Sequence, residues 1–205
     1  MAIKTLTNFK SRLATGGARP NLFEVNITTS NENSYWNETA QEDFQFLCKA
    51  TSMPTQTIGS VDVPFRGRIL KVAGDRTFEP WSVTVINDED FNIRRSFERW
   101  GEAINGLVDG TGDVAPIDYM GKGTIKQIGR SDIGTRTAGG AADGAGVLYS
   151  YEVEDIWPSE IGSIDLSYES SDAIEEFTVT FQVQYMRIGK SIGTQVGDLA
   201  GQFAT

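Results

Sequence analysis

The sequence predicts a mainly β fold: an antiparallel β-sandwich or barrel with one flanking α-helix and a protruding β-hairpin. Apolar and polar residues alternate in many short runs, as in half-buried strands, and glycine or proline separates most of these runs. One stretch near the middle of the chain instead has the longer spacing of an amphipathic helix. Many strands with one good helix are typical of a sheet architecture with a helix over one end.

The N-terminal region begins with apolar residues at roughly helical spacing in residues 1–13, which favours a short amphipathic helix or an arm. Phe23, Val25 and Ile27 then alternate with polar residues, which predicts a half-buried strand. We expect a single domain over residues 1–187, followed by a flexible C-terminal tail over residues 188–205.

Two further segments follow this first strand. Residues 30–41 are predicted to form a polar loop, in which Tyr35 and Trp36 suggest a contact surface. Residues 43–50 alternate in polarity and are predicted to be the second strand. Cys48 lies in that run, and we expect it to be a small buried hydrophobe rather than a reactive thiol.

A two-residue turn at Arg66-Gly67 predicts a long β-hairpin over residues 61–72. The turn pairs three positions on one face: Phe65 with Arg68, Val63 with Leu70, and Val61 with Val72. A two-stranded hairpin is only marginally stable unless it packs against something. The residues alone leave open whether its partner is the rest of the domain or another subunit.

The next strand and helix have the strongest local signals. Trp81, Val83 and Val85 lie two residues apart, which predicts a strand with one buried face. Four apolar residues then follow at helical spacing: Ile93, Phe97, Trp100 and Ile104. Asn87 or Asp88 is expected to cap this helix, whose apolar stripe must lie against a sheet.

The C-terminal part of the chain is predicted to contribute further strands, around residues 124–128, 147–153, 164–168 and 174–185. Between them, Trp157 and Pro158 are expected to end a strand, with Trp157 as a core anchor. The expected core anchors are Trp81, Phe97, Trp100 and Trp157.

Composition limits the chemistry that the chain can perform. The chain has no histidine and one cysteine, which excludes imidazole bases and the usual zinc sites. Carboxylate pairs such as Glu152 and Glu154 share a strand face, but nothing marks either as an acid with a raised pKa. We therefore predict no enzyme activity, catalytic residue, metal site or cofactor, and no apolar run is long enough for a membrane span.

The net charge of −10 is concentrated in one segment. Residues 137–186 contain ten acidic residues and no Lys or Arg, so that the remaining 18 acids balance the 18 bases of the chain. A strongly acidic surface repels polyanions such as nucleic acid.

Several segments resemble the tail tube proteins of contractile-tailed bacteriophages of the T-even type. The similar segments are ARPNLFEV at residues 18–25, FLCKATSMP at 46–54, KVAGDRTFEPWSVTVINDED at 71–90 and WPSEIGSIDLSYESSDAIEEFTVTFQVQY at 157–185. Residues 30–41, the glycine-rich residues 138–146 and the tail beyond Arg187 depart from the family pattern, so the resemblance implies nothing about their roles.

The resemblance implies a β-sandwich subunit that assembles into hexameric rings, which stack into the inner tube of the virion tail. It implies a structural role in conducting double-stranded DNA into the host cell, after assembly in the host cytoplasm. The implied partners are further copies of the chain, the tail sheath protein, the tape measure protein, and the baseplate and tail terminator proteins.

Two sets of residues are candidates for roles in such a tube. The candidates for a contact between subunits lie in the hairpin: Val63, Phe65, Arg66, Arg68 and Leu70. The candidates for lining the channel lie on polar strand faces, where they would repel DNA without binding it: Glu152, Glu154, Glu176, Gln182 and Gln184.

Other functions are compatible with the same strand pattern. Within the structural class, the alternatives are the tube of a secretion or contractile injection system, or a tube-like baseplate component. In another class, a carbohydrate-binding β-sandwich module would use exposed Tyr35, Trp36 or Tyr168.

Overall fold

A computed structural model of the chain describes residues 6–12, 17–29, 35–108, 110–113, 115–129, 147–169 and 172–189. Its helices are α1 (Leu6–Arg12), α2 (Glu38–Leu47), α3 (Asn92–Ile104) and α4 (Pro116–Tyr119). Its strands are β1 (Phe23–Thr29), β2 (Cys48–Thr51), β3 (Gln56–Phe65), β4 (Arg68–Phe78), β5 (Trp81–Ile86), β6 (Gly121–Ile128), β7 (Val147–Ile161), β8 (Glu176–Gln182) and β9 (Tyr185–Ile188).

The strands form one large sheet and one separate hairpin. The large sheet has seven strands in the order β1-β6-β7-β8-β5-β2, with β9 paired to β7, and β3 and β4 form the two-stranded hairpin. The pairs β2–β5, β5–β8, β7–β8 and β7–β9 are all antiparallel. The predicted mainly β, antiparallel class is therefore confirmed.

Backbone contacts divide the chain into two compact units. The smaller unit comprises Met1–Glu24, Lys126–Ser150 and Lys190–Thr205, and the larger comprises Val25–Ile125 and Tyr151–Gly189. In the smaller unit, the Gln127 side-chain amide donates to the carbonyl oxygens of Arg19 and Leu22, both at 2.7 Å. The expectation of a single domain over residues 1–187 stays a prediction.

The core of the larger unit is aromatic and lies between the sheet and two helices. Phe177, Val179 and Phe181 on β8 are buried, as the alternation predicted, and Trp81, Val83 and Val85 are buried beside them on β5. From α3, the Phe97 ring lies 5.8 Å from that of Phe181 and 6.5 Å from that of Phe177, centroid to centroid. The predicted packing of this helix on a sheet is thus present.

A second helix, α2, covers the same core, and its presence overturns two expectations. Residues 38–41 belong to this helix and not to the predicted polar loop. Residues 43–47 also belong to it and not to the predicted second strand, which is limited to Cys48–Thr51. The side chain of Asn37 caps the helix by accepting a hydrogen bond from the Ala40 amide at 2.8 Å. Phe44 is fully buried and packs edge-on against Phe97, at 6.0 Å between centroids.

The aromatic residues before α2 are part of the core, so the expected contact surface at Tyr35 and Trp36 is wrong. Their exposed fractions are 5% and 3%. The Trp36 indole N–H donates to the carbonyl of Ile27 at 2.8 Å, and the Tyr35 hydroxyl donates to the carbonyl of Asp118 at 2.9 Å. A glycan-binding role for these two side chains is excluded by their burial.

Helix α3 begins later than the sequence predicted. Its first residue is Asn92, and the residue before it, Phe91, has a left-handed backbone with φ of 53°. Asp88 does reach the helix start, because its Oδ1 accepts a hydrogen bond from the Asn92 amide at 3.2 Å, but it does so from outside the cap position. Within the helix, Arg94 and Glu98 form an i,i+4 ion pair at 3.0 Å.

The C-terminal strands differ from the prediction at three points. Trp157 is half-buried and lies inside β7, which continues to Ile161 instead of ending at Pro158. Residues 162–167 form no strand, and both Leu166 and Tyr168 are exposed. The last predicted strand is broken between Gln182 and Tyr185, since β8 pairs with β5 and β7, whereas β9 pairs with β7 alone.

Two predicted features lie outside the described residues: the glycine-rich loop at 138–146 and most of the C-terminal tail, from residue 190 onward. None of the helices in the part of the chain described above has the length and apolar character that a membrane crossing requires.

Candidate functional site

The hairpin of β3 and β4 has the register that the sequence predicted. Phe65 pairs with Arg68, Val63 with Leu70, and Val61 with Val72. Arg66 and Gly67 both have positive φ, at 47° and 78°, as a type I′ turn requires. The hairpin extends further than predicted, from Gln56 to Phe78, and Gly74-Asp75 forms a bulge opposite Gly59.

Neither face of the hairpin is covered by another described part of the chain. Every residue of β3 is exposed, and on β4 only Gly74 and Phe78 are even half-buried. One face, here called the apolar hairpin face, carries Val61, Val63, Phe65, Leu70 and Val72, with exposed fractions between 43% and 66%, and Arg68 lies on it at the tip. Contiguous apolar surface of this kind marks an interaction site in soluble proteins.

The hairpin tip is also basic. Arg66 and Arg68 are both exposed there, and the Arg66 guanidinium lies 5.3 Å from the centre of the Phe65 ring. All five candidate contact residues of the hairpin are thus on the surface of the chain, next to one another. A subunit contact through them stays a prediction.

An acidic cleft lies in the connection between β7 and β8. Its volume is about 580 Å³, and it is lined by residues 163–168 and 173–176. Leu166, Tyr168 and Ile174 are exposed, and Tyr168 is completely so. The sequence assigned these residues to strands because they alternate with polar ones, and therefore missed this surface.

Two acidic residues of the cleft are held by the neighbouring strands. Glu175 accepts hydrogen bonds from Asn87, from the side-chain amide to Oε2 at 3.0 Å and from the backbone N–H to the carbonyl at 2.9 Å. Glu176 forms an ion pair with Lys49 on β2. These contacts fix the C-terminal end of the cleft to the sheet.

The outward face of β5 and β8 is lined by hydroxyl groups. The Oγ atoms of Ser82 and Thr180 lie 3.3 Å apart, and Thr84 and Thr178 lie 3.4 Å apart on the next pair of positions. Glu176 and Gln182 are at the two ends of this face on β8, and both are half-buried. Gln184 is exposed in the break between β8 and β9.

The other two channel candidates, Glu152 and Glu154, share one cation. The Lys122 ammonium on β6 lies 3.0 Å from Glu152 and 3.1 Å from Glu154. The hydrogen bond to Glu152 raises the pKa of Lys122, and that to Glu154 acts in the same direction. The structure therefore places Glu152 and Glu154 together on β7. The single positive charge of Lys122 on β6 balances one of their two negative charges.

The described residues match neither of two kinds of reactive site, a metal site and a reactive thiol. Among them, no set of three or more His, Cys, Asp or Glu could hold a metal ion. Cys48 is buried, as expected, and burial raises the pKa of its thiol to about 12, which keeps it protonated and unreactive at neutral pH.

The sequence of this chain is similar to those of known proteins. Residues 18–188 match the model of the phage tail tube protein family. The tail tube proteins gp19 of Enterobacteria phages T4 and T6 are each 32% identical to the chain over 168 residues, which cover 82% of this chain and 90% of theirs.

Solved structures show the same fold at lower identity. A chain in the sixfold-symmetrised baseplate of the anti-feeding prophage has a TM-score of 0.59 and 12% identity, covering 87% of this chain and 98% of its own. Since both the family model and relatives above 30% identity span most of the sequence, the chain belongs to the phage tail tube protein family and is a structural protein of the virion tail.

Proposed function

We propose that copies of this chain assemble into hexameric rings that stack into the inner tube of a contractile phage tail, through which viral DNA passes into the host cell. The observation that carries this proposal is the hairpin, whose apolar face is left uncovered by the described residues of its own chain. An isolated hairpin of this kind is marginally stable in water and gains stability when a partner covers it.

A second copy of the chain is the partner that this role supplies. In a closed ring or a stack, each copy presents the same hairpin and the same receiving surface. The same pair of surfaces therefore forms each joint, that is, each contact between neighbouring copies. Val63, Phe65, Arg66, Arg68 and Leu70 are the residues that we assign to these joints.

The remaining partners follow from the same role. The tube would contact the tail sheath protein on its outside and the tape measure protein on its inside during assembly in the host cytoplasm, and the baseplate and terminator proteins at its ends. The proposed role requires no enzyme activity and no cofactor, because the tube acts through its shape and its surface charge.

For the channel lining we propose the polar strand faces that carry Glu152, Glu154, Glu176, Gln182 and Gln184. Lysines or arginines facing the phosphates of DNA would bind it and release counterions, which would slow its passage. The hydroxyl-lined face avoids this binding because β5 and β8 contain no Lys or Arg, and Lys49 on the adjacent strand β2 is paired with Glu176.

The proposal is tested by the assembly of two matched variants. Val63→Glu places a carboxylate on the apolar hairpin face, and Ser60→Glu places the same group on the opposite face of the same strand. Both positions are exposed, so the melting temperature of the subunit should hardly change. By negative-stain electron microscopy, we expect tubes from the wild-type chain and from Ser60→Glu, and none from Val63→Glu.

Two results would contradict the proposal. One is a wild-type chain that forms no rings or tubes at any concentration and is absent from purified virions. The other is a Val63→Glu variant that assembles as well as the wild-type chain, since the hairpin would then have no part in the joint.

A further inference from the structure

The acidic cleft is a surface whose charge is opposite to that of the hairpin tip. Within residues 61–72 the hairpin carries Arg66, Arg68 and Lys71 against Asp62, a net charge of +2. Residues 163–176 carry five acidic residues, at 165, 169, 172, 175 and 176, and no base. The net charges of the two segments are opposite.

Three of these acids are free to meet a partner. Glu175 and Glu176 are engaged by Asn87 and Lys49, whereas Asp165, Glu169 and Asp172 are exposed and have no ion pair with any Lys or Arg in the described ranges. Asp165 lines the cleft, whereas Glu169 and Asp172 lie in the chain between its two lining segments.

The cleft also has an apolar part that suits a hairpin tip. Leu166 and Ile174 expose most of their side chains, and the cleft volume of about 580 Å³ is in the range of binding pockets, roughly 300 to 1,000 Å³. Phe65 is the most exposed aromatic residue of the hairpin, at 66%, and the Arg66 guanidinium lies over its ring. An aromatic anchor flanked by arginines is typical of the centre of a protein interface.

Within one chain these two surfaces do not meet. The hairpin is exposed along its whole length and the cleft is open, so the match can be completed only between copies. Another exposed apolar element, α1 with Leu6 and Phe9, is a poorer receiver because it is basic at Lys10 and would repel the tip.

We propose that the hairpin tip of one copy docks into the acidic cleft of a second copy, with Phe65 against Leu166 and with Arg66 and Arg68 facing Asp165 and Glu169. This inference rests on the proposed tube, and it specifies which surface receives the hairpin. Opposite charges set the register of such a joint, while the apolar contact supplies most of its stability.

Charge reversal tests the pairing. Arg66→Asp with Arg68→Glu reverses the tip, and Asp is chosen at position 66 because it tolerates the left-handed backbone found there. Asp165→Lys with Glu169→Lys reverses the cleft. Each reversal alone should raise the critical concentration for assembly about tenfold or more, and the chain carrying all four substitutions should return to within about threefold of the wild-type value.

A matched control reverses two exposed acids outside the cleft, Glu89→Lys and Asp90→Lys. This control changes the net charge by the same amount as the cleft reversal, and we expect it to leave the critical concentration within about twofold of the wild-type value. A rise equal to that of the cleft reversal would show an effect of total charge, and would overturn the proposed pairing.

A crosslink tests the same joint without any change of charge. In assembled tubes, Ile69→Cys at the hairpin tip combined with Ser167→Cys in the cleft lining keeps Phe65 and Leu166 in place. This pair should form disulfides between copies and give a ladder of multimers on a non-reducing gel. The native Cys48 is buried and should not interfere. Ile69→Cys combined with Lys10→Cys should give no ladder.

The outcomes separate this inference from the tube itself. Suppose that wild-type tubes form, but that the folded chain with all four substitutions keeps a raised critical concentration, or that only the cysteine pair with Lys10→Cys crosslinks. Either result would show that the cleft does not receive the hairpin, and would overturn this inference but not the proposed tube. If the wild-type chain forms no tube, the proposed function fails with it.

Discussion

Gly121 and Gly123 on β6 make room for two tryptophan side chains. A Cβ atom at Gly123 would lie 2.8 Å from the Trp81 ring, and one at Gly121 would lie 3.0 Å from the Trp100 ring. Trp81 cannot easily move away, because its indole N–H donates to the Thr51 hydroxyl at 2.9 Å and its ring stacks on Phe181. The sequence pointed to both tryptophans as core residues but gave no sign of the glycines that accommodate them.

Gly123→Ala is therefore expected to destabilise the subunit by about 1 to 3 kcal/mol through overpacking. In a chain of this size that corresponds to a fall in melting temperature of roughly 2 to 12 °C, measured by calorimetry or circular dichroism.

The matched control is Gly101→Ala, in the interior of α3. A Cβ there would meet nothing within 4 Å, so the higher helix propensity of alanine should stabilise the subunit by about 0.5 to 1 kcal/mol. Equal effects at the two positions would contradict the proposed role of Gly123.

Lys122 shows why a charge pattern read along a chain is incomplete. Residues 137–186 contain no base, yet the ammonium of Lys122 reaches both Glu152 and Glu154. The contact depends on which strands are neighbours, and alternation within a strand carries no information about that. Since the pKa of Lys122 is raised, the stabilisation by this contact is present below the ordinary value of 10.5 and is lost as the pH rises through the raised value.

Among the secondary-structure elements, α2 was mistaken for a strand because two periods coexist in its sequence. Phe44, Phe46 and Cys48 alternate as in a strand, but Trp36, Ala40 and Phe44 are four residues apart as in a helix. The structure follows the second period: Ala40 and Phe44 are fully buried, whereas Phe46 is 83% exposed. Asn37, a residue type that favours the helix N-cap, was the available signal for the helix.

The strand pairing of the hairpin could be predicted residue by residue from the sequence, because its register depends only on its own turn. With two residues in the turn, every cross-strand pair from 61 to 72 follows from local geometry. The acidic cleft was not predictable in this way, because it is formed by a connection with no regular pattern of its own.

Removal of the outer hairpin should leave the fold intact. Replacing residues 61–72 by Asn-Gly, a good type I′ turn, would join Ser60 to Ala73 and delete only exposed residues. We expect a cooperative melting transition within a few degrees of the wild-type value, together with a loss of tube formation in the electron microscope.

A variant that fails to fold would show that the hairpin stabilises its own subunit. That outcome would place the apolar hairpin face against the rest of the same chain and would contradict its role between copies.

At the scale of the whole molecule, several surfaces are unfinished in a single copy. The apolar hairpin face and the acidic cleft are both uncovered, and the large sheet ends at β1 and β2. Unpaired sheet edges and exposed apolar strands promote association with further chains. In this family that tendency is the function, so the same features that would be an aggregation hazard in a monomer are expected here.

If the hydroxyl-lined face of β5 and β8 lines the channel, Thr178→Lys should slow the passage of DNA. The added ammonium in every copy would bind phosphates, and the effect should weaken steeply as the salt concentration rises. We expect slower genome ejection from particles carrying Thr178→Lys, followed with a DNA-binding dye, and normal ejection with Thr178→Gln. Unchanged ejection from particles with Thr178→Lys would place this face outside the channel.

The bulge at Gly74-Asp75 sets the direction in which the hairpin leaves the subunit, since an extra residue on one strand increases the local twist. A filament built from identical joints repeats this direction at each step, so that its helical rise and its rotation per layer both depend on one irregular pair of residues. A change of a few degrees in the direction of the hairpin has little effect on a monomer. In a polymer the change accumulates from copy to copy, and it would alter the helical pitch that any protein layer around the polymer has to match.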